Sequence, residues 1–549
     1  MSADLAQFLD GLLRSFGLIA SAVALGGIAF AAIVLRPWRA SQAAPGLLSG
    51  PPAPPGAVAS CLRLAGLGSA GISVCILLQL AAKAQFIAAG MKIAPFPELF
   101  HTQVFQVNVA LAALAALTAL TILRLRRRPD SSARWLALGL AALLLVLTGA
   151  WLTHGSARLE QRELLMSLST VHRTAGMVWV GAVVHLVLLW RSGKRDPQAA
   201  NFWPEAFARF AILGGGALAL LFAGGIPLAM IYVDSWSGLI GSAYGSILIA
   251  KWTLMAAALA LAFANFRAGR RWRQASAASA APPPYFAEIE SIFLVVVLFA
   301  ASALAALPPA VDITEQRATL SEVVQSFAPK MPQITSPSLV EEQSASAESA
   351  VIAREQSSAE EQWSDYNHNV TGLILLAIAL IALLESTGRA PWARYWPLGF
   401  VVMAAFVLFR SDPSGWPLAS GIGFLESFGK ASWVQHKIAG FIPIALGLME
   451  WRARTVPNAG TSFSFAFPIL SIVGGLLLLS HAHGAFEMKA EYLTQISHTA
   501  MGMMAVFMGC GRWMEIRVDG PVGRLAGVGA RVALALIALV LVFYREPLA

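Results

Sequence analysis

The sequence predicts an all-α polytopic membrane protein of about 14 transmembrane helices in two bundles, and three observations predict it. Of 549 residues, 57% are hydrophobic and 13% charged, whereas soluble domains carry about 25% charged residues. Apolar windows of about 20 residues, the length that crosses a bilayer, recur along the chain. The basic residues fall in short clusters between those windows, so the net charge of +9 sets membrane topology and does not mark a nucleic-acid partner.

Taken in order, spans are expected near 13–35, 59–82, 103–124, 134–152, 170–190, 205–232, 243–266 and 286–307, an eight-helix bundle over 1–308. No positive region precedes the first apolar stretch, so it reads as a true span and not as a cleaved signal peptide. A polar stretch over 309–366 follows. Six more spans near 367–385, 393–410, 433–450, 464–481, 494–513 and 527–544 make a second bundle over 367–549.

Orientation follows from the cations. Arg36 and Arg39, the cluster Arg124 to Arg128, Arg191 with Lys194 and Arg195, and the cluster Arg267 to Arg273 occupy alternate loops. Arg389 and Arg394, Arg452 and Arg454, and Arg512, Arg517 and Arg524 continue the series. By the positive-inside rule these loops are cytoplasmic, which puts both termini and the 309–366 stretch outside. That stretch is acidic, and its Ser/Ala/Glu/Gln tract from Ser336 to Gln362 reads as a flexible linker between the bundles.

The three cysteines, Cys61, Cys75 and Cys510, lack metal-ligand spacing and read as small buried hydrophobes. The nine histidines are more informative. His101, His154, His172, His368, His436, His481, His483 and His498 fall at the outer side of this topology, and only His185 lies deep, where it reads as an ordinary buried histidine. Four of them start the same pattern, with glycine at i+4: His172 to Gly176, His368 to Gly372, His436 to Gly440 and His498 to Gly502. Each is expected to open an apolar helix and to share a face with its glycine, which lets a neighbouring helix or a flat ligand approach. Three of these helices end near an acid, Glu385, Glu450 or Glu515, so the pattern reads as a weak internal repeat.

His481 and His483, at i and i+2, would point the same way in extended backbone. Imidazole suits copper, zinc, iron and nickel, and thioether favours Cu(I). Met501 lies three residues after His498, with Met503, Met504 and Met508 beyond. Together these residues point to copper. Lys251, inside its span, must snorkel or find a partner such as Asp234. No nucleotide-binding loop, zinc-protease motif or catalytic triad is present, and the topology leaves no soluble cytoplasmic domain for an ATP-driven pump. A transporter is expected in preference to an enzyme.

Three stretches of the first bundle, Gly149 to Ala157, Val171 to Gly181 and Ser242 to Lys251, resemble the CopD/PcoD family of bacterial inner-membrane copper resistance and transport proteins. Gly149 to Ala157 is similar to that family's Thr-Gly-His-Ala segment, with the glycine after His154 instead of before it. Val171 to Gly181 resembles its His-Leu…Trp-hydrophobic-Gly helix. Ser242 to Lys251, with Asn265-Phe-Arg267 downstream, resembles its Tyr-Gly…Leu-Leu-Lys helix. The second bundle, through Gln435-His436, Ser480 to His483 and Ser497-His498, is similar to the extension of longer family members. The resemblance implies copper movement across the inner membrane, often beside a periplasmic CopC-type copper-binding partner, with His154 and His172 as candidate ligands.

The expected function is therefore copper transport through His154, His172, His368, His436, His481, His483, His498 and Met501. The alternative is a haem b redox protein in which facing histidines ligate the iron. A third reading makes the histidines helix caps of a non-catalytic membrane subunit.

Overall fold

The structure is a computed structural model that describes residues 3–36, 53–91, 100–193, 202–274, 285–352, 358–429, 431–456, 461–479 and 489–546. Within those residues every regular element is a helix and there is no strand. The helices are α1 (Ala3–Phe30), α2 (Ala57–Met91), α3 (Gln103–Arg127), α4 (Ser132–Ala150), α5 (Arg162–Gly193), α6 (Phe202–Val233), α7 (Ala243–Gln274) and α8 (Tyr285–Leu304). They continue as α9 (Leu320–Ser326), α10 (Leu339–Ile352), α11 (Ser358–Ser386), α12 (Gly399–Arg410), α13 (Ala431–Thr455), α14 (Ala466–Leu479), α15 (Lys489–Arg517) and α16 (Pro521–Val542). Among the described residues, 11 helices are long and apolar enough to cross a membrane. The remaining expected spans are helical too, as α13, α14 and α15; α14 is only 14 residues long, and the other two carry charged residues. The protein is a polytopic all-α membrane protein.

The chain divides into two compact units, one of residues 9–234 and 251–306, the other of 1–8, 235–250 and 307–549. In the first, the spans of α1, α5 and α8 are 56%, 67% and 72% buried, whereas that of α4 is 22% buried. The former make the centre and α4 turns Leu136, Leu140, Leu143 and Leu147 outward, as a lipid-facing helix does. Close packing of α1 on α5 needs glycine. A Cβ on Gly26 would lie 2.4 Å from the Gly181 Cα, and one on Gly181 would lie 1.8 Å from the Ala22 carbonyl oxygen. Asn265 donates to Glu290 Oε2 at 2.7 Å, tying α7 to α8.

In the second unit, α11, α13, α15 and α16 are joined at one end by a closed ring of charges. Arg454 pairs with Glu385 at 2.5 Å and with Glu450 at 2.6 Å; Arg512 pairs with Glu450 at 3.0 Å and Glu515 at 2.7 Å. Arg531 closes the circuit through Glu515 at 3.0 Å and Glu385 at 3.7 Å. The three acids that punctuate the sequence repeat thus meet one another through three arginines. Alternating signs let each buried charge face two opposite ones, which offsets the cost of desolvation.

The stretch expected as a flexible linker differs from that expectation. Ser338 and Glu341 form a capping box: Glu341 N–H donates to Ser338 Oγ at 3.2 Å and Ser338 N–H to Glu341 Oε2 at 2.8 Å. They start α10, which docks through Gln343 Nε2 to the Pro413 carbonyl at 2.8 Å. Farther on, α11 begins at Ser358, so its first turns are polar and its apolar length starts later.

Candidate functional site

The helix starts change how the repeated histidines are seated. His172, His368 and His498 do not open their helices; α5, α11 and α15 begin at Arg162, Ser358 and Lys489, more than two turns earlier. The polar residues before each histidine are helical because their own backbone bonds are satisfied within the helix, whatever their side chains prefer. The i+4 glycines are packing sites. A Cβ on Gly372 would lie 2.5 Å from Val542 N, one on Gly440 2.4 Å from the Leu408 side chain, and one on Gly502 2.9 Å from the Gly475 carbonyl.

Two of the predicted histidines meet at one end of the second unit, with a third, His436, in the same neighbourhood. The His368 and His498 rings are 5.9 Å apart, nearly perpendicular, and the His368 ring lies 4.1 Å from that of Tyr544. His436 is within electrostatic range of both. Each imidazole has its Nδ1 committed. His368 Nδ1 donates to the Ser364 carbonyl at 2.9 Å and His498 Nδ1 to the Thr494 carbonyl at 3.1 Å. His436 Nδ1 donates to Asp412 Oδ1 at 2.7 Å. A carbonyl or carboxylate only accepts, so in all three rings the lone pair is on Nε2, the tautomer that metal-ligating histidines are held in.

Sequence reasoning missed the residues that support these rings. Asp412, 3% exposed, also takes the Lys437 ammonium at 2.7 Å, and Lys437 donates to the Trp416 carbonyl at 2.8 Å. Burial would raise the Asp412 carboxyl; the bonds from His436 and Lys437 outweigh it and hold the group below the usual carboxylate range. Beyond α16, Glu546 accepts from Ser364 Oγ at 2.7 Å and from Thr494 Oγ1 at 3.1 Å, one turn before His368 and His498 respectively. Burial, with Glu546 beside it, pushes the Tyr544 phenol well above its ordinary range, so Tyr544 stays a neutral wall of the site. A lysine directly after His436 in an apolar context was the one sequence signal for the Asp412 cluster.

The other predicted ligands are placed differently. Met501 is buried in the apolar cluster with Leu375, Ile378 and Leu534. His481 and His483 lie outside the described residues. His154 sits on a one-turn helix, His154–Ala157, its ring edge-on to Tyr232 at 6.4 Å. His172, in the first unit, donates from Nδ1 to the Leu221 carbonyl at 2.8 Å, and Lys251 Nζ is 3.5 Å from its Nε2. Lys251 has thus found an imidazole, and a cation seeking that lone pair must displace an ammonium. A Cβ on Gly225 would lie 2.6 Å from the same Nδ1, so the glycine makes room for the ring. Among the described residues, no three His, Cys, Asp or Glu side chains stand close enough together to hold a metal ion as they are.

Residues 204–304 match a family model described as Copper resistance protein D. That segment supplies Leu221, Gly225 and Lys251, the surroundings of His172, together with Asn265 and Glu290. The chain is also similar to "Copper transport protein CutJ" of Bacillus subtilis (strain 168), 27% identical over 149 residues. The aligned part is 27% of this chain and 27% of that protein. No solved structure matches.

Proposed function

We propose, from the premise that this chain belongs over residues 204–304 to the copper resistance protein D family, that it binds copper ions and moves them across the bacterial inner membrane. The histidine end of the second unit faces the periplasm in this reading, as the cation distribution predicts. His368, His436 and His498 offer Nε2 to copper there, joined by His481 and His483 from the adjoining segment. The single observation that carries the reading is the shared tautomer: three imidazoles on three helices, each with Nδ1 spent on an oxygen acceptor. Helix caps would not sit more than two turns inside their helices, as His368 and His498 do.

The rings stand too far apart to chelate together as they are, so copper binding draws them in. A cargo site of this kind holds its ion less tightly than a structural one, which transport requires. His154, and His172 beside Lys251, form the first unit's station on the path, and a periplasmic CopC-type protein is the donor or acceptor at the outer face.

The test is copper accumulation and copper-dependent growth in cells carrying the wild type or the His368→Ala, His436→Ala and His498→Ala variants at matched membrane levels. The proposal expects each variant to lower copper movement and the triple variant to abolish it. Wild-type behaviour of the triple variant would end it. A Soret band with iron in the purified protein would point to haem at the same histidines instead.

A further inference from the structure

The copper site described above leaves unused a thiol and an imidazole buried side by side in the first unit. Cys61 on α2 and His185 on α5 are 2% and 1% exposed, and the Cys61 sulfur lies 3.3 Å from His185 Nδ1. Backbone geometry builds the pair. The Gly26–Gly181 contact brings α1 against α5, so that the Val23 carbonyl accepts from His185 Nε2 at 2.9 Å. Gly27 leaves the ring its space; a Cβ there would lie 2.3 Å from Nε2. Because Nε2 carries the proton, the lone pair is on Nδ1, the atom that faces sulfur. The backbone carbonyl thus orients the ring, as a hydrogen-bonded acceptor orients a metal-ligating histidine. A small cleft of about 30 Å³ enters these helices, lined by Leu25, Met177 and Arg173 among others. Leu25 is two residues before Gly27, and Met177 is about 12 Å along α5 from His185 at 1.5 Å per residue.

We propose that Cys61 and His185 form a two-ligand site for Cu(I), a station on the path of the copper reading, on which this inference rests. Thiolate selects soft ions, and Cu(I) is satisfied by two ligands. Charge selects the same ion. Cys61 thiolate, neutral His185 and Cu(I) sum to zero, so the loaded site can stay buried, whereas Cu(II) or Zn(II) would leave a net charge in the membrane interior. On loading, the S–H bond, now aimed at the Gly27 carbonyl at 3.4 Å, breaks and an S–Cu bond forms. The proton leaves to water and nothing is oxidised or reduced. Metal–ligand bonds of about 2.3 Å to sulfur and about 2.0 Å to nitrogen, in line, require the two side chains to part by about 1 Å from their 3.3 Å separation.

The experiment titrates the full-length protein in detergent with Cu(I), without oxygen, against a chromogenic Cu(I) chelator, while following thiolate-to-copper charge-transfer absorption. The wild type is expected to show that absorption saturating at one equivalent. Cys61→Ser abolishes it, His185→Gln weakens it at least tenfold, and Cys75→Ser together with Cys510→Ser keeps it, assigning the band to Cys61 without touching that residue. A wild type that binds Cu(I) without a thiolate band, or a Cys61→Ser protein that retains the band, overturns this proposal and leaves the histidine reading standing. A wild type that takes no Cu(I) at all overturns both.

Discussion

Replacing Asp412 with asparagine removes the carboxylate that holds Lys437 and His436 together. The Lys437 and Asp412 side chains are 0% and 2% exposed and 2.7 Å apart. At that distance the attraction is about 6 kcal/mol for an effective dielectric of about 20, set against the desolvation of both ions. Removing one partner strands a buried ammonium, and such changes cost about 3–5 kcal/mol. Lys437→Met costs less, because Asp412 keeps the His436 ring at 2.7 Å, and that ring is 44% exposed. The double variant carries neither buried charge, so it regains most of the loss, with a coupling energy of at least about 2 kcal/mol. The assay is reversible unfolding in mixed micelles across the four-member cycle. Additivity within about 0.5 kcal/mol would refute the reasoning. Acid supplies a second check. The Asp412 carboxyl is held below its ordinary value of 3.8, so its contribution is complete above that value and lost as pH falls through the lowered one. Wild-type stability therefore shows an acid-side decline at that pair which Asp412→Asn lacks.

Glu450 sits in the charge ring at 0% exposure between Arg454 and Arg512, so Glu450→Gln should destabilise by about 3–5 kcal/mol. Glu385→Gln, at 20% exposure, should cost less, and unfolding that reverses this order would contradict the ring's energetics. Gly225→Ala places a methyl 2.6 Å from His172 Nδ1; it should break the bond to Leu221 and destabilise by about 1–3 kcal/mol, as overpacking does, and a neutral result would show slack at α5–α6. Glu322, bonded to Lys489 and to the Thr319 cap, is held at about 2 against an ordinary 4.5. Its capping contribution is complete above pH 4.5 and is lost as pH falls through about 2, so hydrogen exchange at α9 should rise only in that acid window.

The spans were readable because about 20 apolar residues leave few alternatives in a bilayer. The starts of α11 and α15 were not, since polar residues such as Ser358 to Asn367 extend a helix beyond its apolar length without changing its periodicity. The tract around Ser338 looked like a linker by composition, yet its Ser-x-x-Glu pattern is a capping box that nucleates α10. The His-x-x-x-Gly repeat led to His368, His436 and His498, although its glycines prove to serve packing. The supports of those rings come from distant chain, Asp412 from a loop and Glu546 from beyond the last helix, and no local spacing encodes such meetings. Cys61 and His185 are 124 residues apart, and each alone reads as an ordinary buried residue.

The central claim, that the histidine cluster of the second unit holds copper, is tested most directly by elemental analysis of copper and iron in the purified protein, wild type against the combined His368→Ala, His436→Ala and His498→Ala variant. The account predicts at least one more copper per chain in the wild type than in the variant after copper loading, with iron absent from both. Equal copper in the two proteins, or stoichiometric iron in the wild type alone, would contradict it.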